Sequence, residues 1–266
     1  MIRANTRPEL DAAIARVRAL LARKDVRTIR SGLEDTLLVE GYIDGPEFAV
    51  EGVLTAGRLQ AFAIFEKPDP LNGPFFEETI YVTPPSLARA AQSAILAQVE
   101  RATRALGLEH GPVHAECRAA ADAIYILEVA ARPIGGLCSR VLRFTRPGGG
   151  DLASLEEVLL RHATGDDVTA YARERRAAAV MMIPIPKRGI LKKVEGVEPA
   201  REVPGIEEVR VTAKLDQLLE PLPEAGSYLG FIFARTDRPP DAVVALRAAH
   251  AALRFIVDAP IPVSAG

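Results

Sequence analysis

Two periods of hydrophobic and polar residues run along this chain, and the changes from one to the other mark its elements. From Pro8 to Leu21 the apolar residues Leu10, Ile14, Val17 and Leu21 recur at helical spacing, which predicts a helix. Apolar runs over 37–43 and 48–54 read as strands separated by the breaker Gly45-Pro46, and 59–66 reads as a further strand. The stretch Lys67–Pro74 carries three prolines and an Asn-Gly step without periodicity, so it reads as a loop. Ser86 is read as the N-cap of a helix whose Leu87, Ala91, Ile95, Val99, Ala102 and Leu106 keep helical spacing up to Gly107.

The segments PVHAECR and YILEVAARPIGG read as two short strands around a turn at Ala119–Ala123. Strand side chains alternate, so His114, Glu116 and Arg118 share one face while Val113, Ala115 and Cys117 share the other. Glu128 and Arg132 fall together on the second strand, with Leu127, Val129 and Ala131 pointing away. A turn centred on Asp122 sets Glu116 directly opposite Glu128. Like charges opposed across a ribbon are destabilising. They persist where a cation or a shared proton makes use of them. Two carboxylates with open coordination positions suit Mg²⁺, which keeps waters and takes further ligands from substrate phosphates. A register shifted by one, with both acids in solvent, is the alternative that these residues alone leave open.

Further along, Pro147-Gly148-Gly149-Gly150 punctuates the chain before a helix from about Leu152 to Ala163, and a basic polar stretch, Tyr171–Arg176, follows. From about Ala178 the character changes. AVMMIPIP, a glycine-containing loop, VRVTAKL and YLGFIFAR read as strands, and Pro240–Val257 as a closing helix with Val243, Leu246, Leu253 and Val257 on one face. The expected class is α+β.

Composition narrows the function classes. At 266 residues the chain suffices for one large or two small domains. Its net charge of −2 carries no electrostatic footprint for nucleic acid. It has neither an apolar run of membrane-spanning length nor a signal-peptide h-region, so no membrane partner is expected. Cys117 and Cys138 are too few for a disulfide framework and lack metal-ligand spacing, and a reducing cytoplasm fits them. His110 and His162 offer no constellation, and no Ser-His-Asp order or zinc spacing occurs. His250 reads as a packed helix residue, and His114 as either a contact on the acidic face or a structural histidine.

The ordered set of motifs resembles the ATP-grasp family. VHAECR, a short spacer and YILEVAARPIGG are similar to its metal-binding end; LLVEGYIDGPEFAVEGVL resembles the hinge strand that holds adenine and ribose. AFAIFEKPDPLNGPFFEETIYVTPP resembles the strand and loop that carry a phosphate-contacting lysine. The resemblance is nearest to the carboxylate–amine ligase branch that includes L-amino-acid ligases, and it runs from residue 1 to about 165. It implies a partial ATP-grasp fold, an antiparallel sheet with helices, over 1–165, then a small α+β C-terminal domain over 166–266 similar to that of L-amino-acid ligases.

It also implies roles. Glu116 and Glu128 would hold Mg²⁺ or Mn²⁺, and Lys67 the triphosphate. Glu40 and Ile43 would lie at the adenine, Glu47 at the ribose hydroxyls, and Arg132 at the acid substrate or its acyl-phosphate. Glu77 and Glu78 lie near the expected substrate cleft, although one strand cannot point both inward. Ala130 stands where relatives elsewhere in the superfamily carry an Asn ligand. The implied partners are ATP and small carboxylate and amine substrates, and a homo-oligomer is compatible. The family's flexible Gly-rich phosphate loop has no counterpart in residues 1–30, where Gly32 next stands alone. The expectation is therefore an ATP-dependent ligase of which this chain is the later part, inactive on its own. The alternative is a non-catalytic nucleotide-binding module that needs a partner chain.

Overall fold

The computed structural model describes residues 1–23, 36–121, 123–224 and 226–259. Gly32 and the turn centre Asp122 lie outside them. Helix α1 (Arg7–Leu21) starts at Thr6, whose hydroxyl accepts from the Glu9 N–H, with proline in its first turn. Strands β1 (Glu47–Thr55), β2 (Arg58–Lys67) and β3 (Ile80–Thr83) precede helix α2 (Arg89–Ala105), and the hairpin β4 (Gly111–Ala119) and β5 (Ile124–Ala130) follows it. Next come β6 (Arg143–Thr145), β7 (Ala153–Ser154), α3 (Leu155–Ala163) and β8 (Ala172–Arg173). The last part holds β9 (Ala177–Ile183), β10 (Gly189–Glu195), α4 (Val197–Arg201), β11 (Ile206–Val211), β12 (Leu218–Leu219), β13 (Gly230–Thr236), α5 (Pro239–Ala252) and β14 (Arg254–Asp258).

One antiparallel sheet of eight strands organises the molecule, in the order β11-β13-β9-β3-β2-β1-β4-β5. Strands from both sides of residue 165 thus share it, joined where β3 pairs with β9. On one face α2 covers the β1, β2 and β4 region, with Ile95 and Val99 against Phe48, Val50, Ile64, Ala115 and Cys117. Under β9 and β13 another cluster includes Ile183, Ile232, Leu246 and Ala249, where α5 packs. The opposite face carries Phe65, Tyr81, Ile134, Phe144 and Leu155, and the chain after β5 crosses it. Among the described residues no helix is long and apolar enough to cross a membrane.

The structure corrects several sequence expectations. The run 37–43 forms no strand: it lies irregular and exposed, with Leu38 81% exposed. Ser86 is not the N-cap of α2. Its N–H donates to Glu66, while the capping position falls on Ala88, which offers no side-chain bond. The helix expected over 152–163 begins at Leu155, capped by Ser154. The closing helix stops at Ala252, and Arg254–Asp258 instead pairs with β10 inside the expected loop. Leu253 and Val257 suit a helical repeat equally well, but the strand partner settles their conformation.

Candidate active site

The site is laid out by strand register on the face opposite α2. Because β1 lies between β2 and β4, Lys67, Glu47 and Arg118 form one row across the three strands. Phe65, Ala49, Glu116 and Glu128 form the next, and Ala63, Glu51, His114 and Ala130 the third. Glu116 and Glu128 are thus paired across the hairpin as the sequence register requires, with a bulge immediately after Glu116. The small side chain of Ala49 leaves room in the middle for charged groups of neighbouring rows to meet. Upstream of this face Gly45 adopts φ +131°, with backbone of Ala119 so close that a Cβ would collide with its oxygen.

Lys67 is the centre. Although it ends β2 beside the Pro-rich loop, it is only 5% exposed. Its ammonium donates to Glu47 at 2.6 Å, Glu78 at 2.6 Å and Glu116 at 2.8 Å. Burial alone would lower its pKa, but the charges of Glu78, Glu116 and Glu47 outweigh that and raise it. Glu116 also accepts from the Tyr81 hydroxyl at 3.3 Å and lies 3.5 Å from His114 Nε2. Burial would push the Glu116 carboxyl up; the His114 hydrogen bond and the Lys67 charge bring it down to about 2. His114 moves the other way, to about 9, because hydrogen bonds to Glu116 and Glu51 outweigh its burial.

Arg118, also buried, fastens the edge of this cluster. It donates to Glu47 at 2.9 Å, to the Ile43 carbonyl at 2.6 Å and to the Leu71 carbonyl at 3.1 Å. Its guanidinium lies 5.1 Å from the Tyr42 ring, which stacks on Phe76. Ile43 therefore joins the site through its backbone, while Glu40 stands exposed in the irregular segment. Glu128 and Arg132 occupy the rim, their side chains 57% and 55% exposed and 3.8 Å apart. Of the adjacent acids Glu77 and Glu78, it is Glu78 that reaches Lys67.

Carboxylate oxygens of Glu47, Glu78 and Glu116 lie within 4.8 Å of one another. Hard oxygen donors in this number suit Mg²⁺ or Mn²⁺. By donor chemistry these residues fit a divalent cation, and here the Lys67 ammonium, bonded to all three, supplies the positive charge in its place.

Sequence reasoning did not single out Glu51, Tyr81 or Arg118 for a role. Glu51 had a signal, since it follows Glu47 by four positions and so shares its strand face. Arg118 had the same signal two positions after Glu116. Tyr81 had none.

Residues 1–141 match the family model described as an ATP-grasp domain, and residues 181–258 match that described as L-amino acid ligase C-terminal domain 2. The crystal structure of an L-amino acid ligase from Bacillus licheniformis superposes with a TM-score of 0.77 at 26% identity, covering 97% of this chain and 62% of that one. Phosphoribosylglycinamide synthetase from Anaerococcus prevotii superposes with a TM-score of 0.66 at 14% identity, covering 96% of this chain and 61% of that one. A curated relative, the uncharacterised protein y4rH of Sinorhizobium fredii, is 25% identical over 178 residues, 66% of this chain and 34% of its own length. The chain thus spans about a third of that relative and under two thirds of the matched ligase.

Proposed function

This chain belongs to the ATP-grasp family, and on that premise we propose that it serves an ATP-dependent carboxylate–amine ligase of the amino-acid ligase type. The observation that carries the reading is the buried Lys67 ammonium held by Glu47, Glu78 and Glu116 on one sheet face. An ammonium and several carboxylates kept out of bulk water are what phosphoryl transfer uses, since charge that develops on the phosphate is balanced by groups already in place.

In this reading a substrate carboxylate oxygen attacks the γ-phosphorus and ADP leaves, forming an acyl-phosphate. The amine then attacks the acyl carbon, phosphate leaves, and the amine gives up a proton. Lys67 holds phosphate oxygens as a point charge. Glu47 receives the ribose hydroxyls, with Glu40 and the backbone near Ile43 at the adenine. Arg132, at the rim, offers a planar fork to the substrate carboxylate or acyl-phosphate. Glu116 with Glu128 or Glu78 would hold Mg²⁺ or Mn²⁺, which neutralises phosphate charge when bound.

Calorimetric titration of the chain with a non-hydrolysable ATP analogue, with and without Mg²⁺, tests this. Binding that strengthens with Mg²⁺ is expected. Binding indifferent to Mg²⁺, or none, would remove the basis of the reading.

The role of Glu128 has its own test. Glu128→Gln keeps the shape, removes one of two opposed charges and should leave the metal-free melting midpoint unchanged or raised. Mg²⁺-dependent affinity should fall about 10-fold or more, as for loss of a metal partner. A large drop in midpoint would instead make Glu128 a structural partner of Arg132.

A further inference from the structure

Glu51 is fully buried at 0% exposure, yet the reading above gives it no task. It sits on β1 in register with His114 on β4, two places along the same face from Ala49. Its Oε2 accepts from the backbone N–H of Ile134 at 3.1 Å and lies 3.3 Å from His114 Nδ1. Its Oε1 is buried with no partner among the described residues.

These contacts join the segment after β5 to the row that carries Glu116. Among the described residues the segment after β5 crosses the sheet face without pairing to a strand, so the Ile134 N–H needs an acceptor from elsewhere. A carboxylate makes a stronger, charge-assisted bond than a neutral oxygen would. Arg132 stands two residues before that bond, and Gly135-Gly136 directly after it. On the other side of Glu51, His114 reaches Glu116 through its second ring nitrogen. The Ile134 side chain buries in the same cluster as Phe65 and Tyr81, so the crossing segment is held by packing as well.

We infer that Glu51 is a positioning residue that sets the Arg132–Gly136 segment and the Glu116 carboxylate against each other. One buried carboxylate fixes the loop through Ile134 N–H and fixes Glu116 through His114. The alternative is a merely structural acid whose loss weakens the whole sheet. The functional part of this inference rests on the ligase reading, since that reading gives Arg132 and Glu116 their substrates; the contacts themselves do not depend on it.

Amide hydrogen exchange followed by NMR reads the first contact directly. In Glu51→Leu, the Ile134 amide should exchange about 10- to 100-fold faster, the factor for losing a hydrogen bond to a charged group. Amides of β1, β2 and β4 should keep their protection. Glu51→Gln retains an oxygen acceptor and should give an intermediate rate, and it serves as the probe if the leucine variant does not fold. Affinity for Mn²⁺ with a non-hydrolysable ATP analogue, measured alongside, should fall in Glu51→Leu and recover at least partly in Glu51→Gln, at equal fractions folded.

An unchanged Ile134 rate, or acceleration spread evenly over the sheet, would overturn the positioning role. Failure of the wild type to bind Mn²⁺–nucleotide would instead sink the ligase reading, and the exchange result would still decide whether Glu51 anchors the segment.

Discussion

Lys67→Met should destabilise the protein by about 3–5 kcal/mol, the cost of removing one partner from a buried ion cluster. At about 2–4 °C per kcal/mol for a chain of this size class, the thermal midpoint should fall by roughly 6–20 °C. The cause is what remains: Glu47, Glu78 and Glu116, gathered around an ammonium that is no longer there. Methionine fills the space but leaves these acids repelling one another in partial burial. The sign of the pH dependence follows from Glu116, whose folded pKa of about 2 lies below its ordinary 4.5. A depressed carboxyl contributes stability above about pH 4.5 and loses it as pH falls towards 2. The gap between wild type and variant should therefore be widest near neutrality and narrow on acidification through that window. Thermal melts of both proteins between pH 3 and pH 8 check this. A loss below about 1 kcal/mol at neutral pH is what an exposed lysine would give. That result would contradict the buried cluster and, with it, the observation on which the ligase reading rests.

A loss of similar size is expected from Arg235→Met, without direct damage to the site. Arg235 is 3% exposed on β13 and spends its whole fork on three separate segments. It donates to Glu207 on β11 at 2.8 Å, to Glu174 just after β8, and to the Val141 carbonyl at 3.1 Å. Methionine would leave a buried carbonyl and the inner of these acids without their partner, again costing about 3–5 kcal/mol. Arg235→Lys should recover only part of this, because a single ammonium cannot reach three acceptors set in a planar fork. Chemical denaturation gives the stability. Nucleotide affinity measured below the variant's transition should stay at the wild-type value, since none of these contacts touches the Lys67 cluster. A fall in affinity in the fully folded variant would mean that this end of the sheet also sets the site.

Lys67 and Arg235 differ in how far the sequence announces them. Lys67 could be picked out because it ends an apolar strand before a Pro-rich loop, within motifs that resemble a known family. Arg235 ends an apolar run too, but no motif surrounds it, and its partners are 28, 61 and 94 residues away.

Local order was largely legible. Helical spacing located α1 and α2, apolar runs located β1 and β2, alternation set the faces of the β4–β5 hairpin, and counting about the turn placed Glu116 opposite Glu128. All of these depend on neighbours within one or two elements, where side-chain period is the deciding physics. The failures share the opposite property. The apolar run 37–43 reads as a strand, but a strand exists only with a hydrogen-bonding neighbour, and this run has none among the described residues. Residues 254–258 continued a helical pattern, but β10 offered them a ladder. The burial of Lys67, the choice of Glu78 over Glu77, and the junction at Glu51 depend on strands and segments brought side by side from distant parts of the chain. The sequence by itself determined which charged residues this protein has and, in the hairpin, on which strand face Glu116, Arg118 and Glu128 stand. Only the tertiary structure decided which of those charges meet, because a charge is affordable in the interior only where folding delivers its partner.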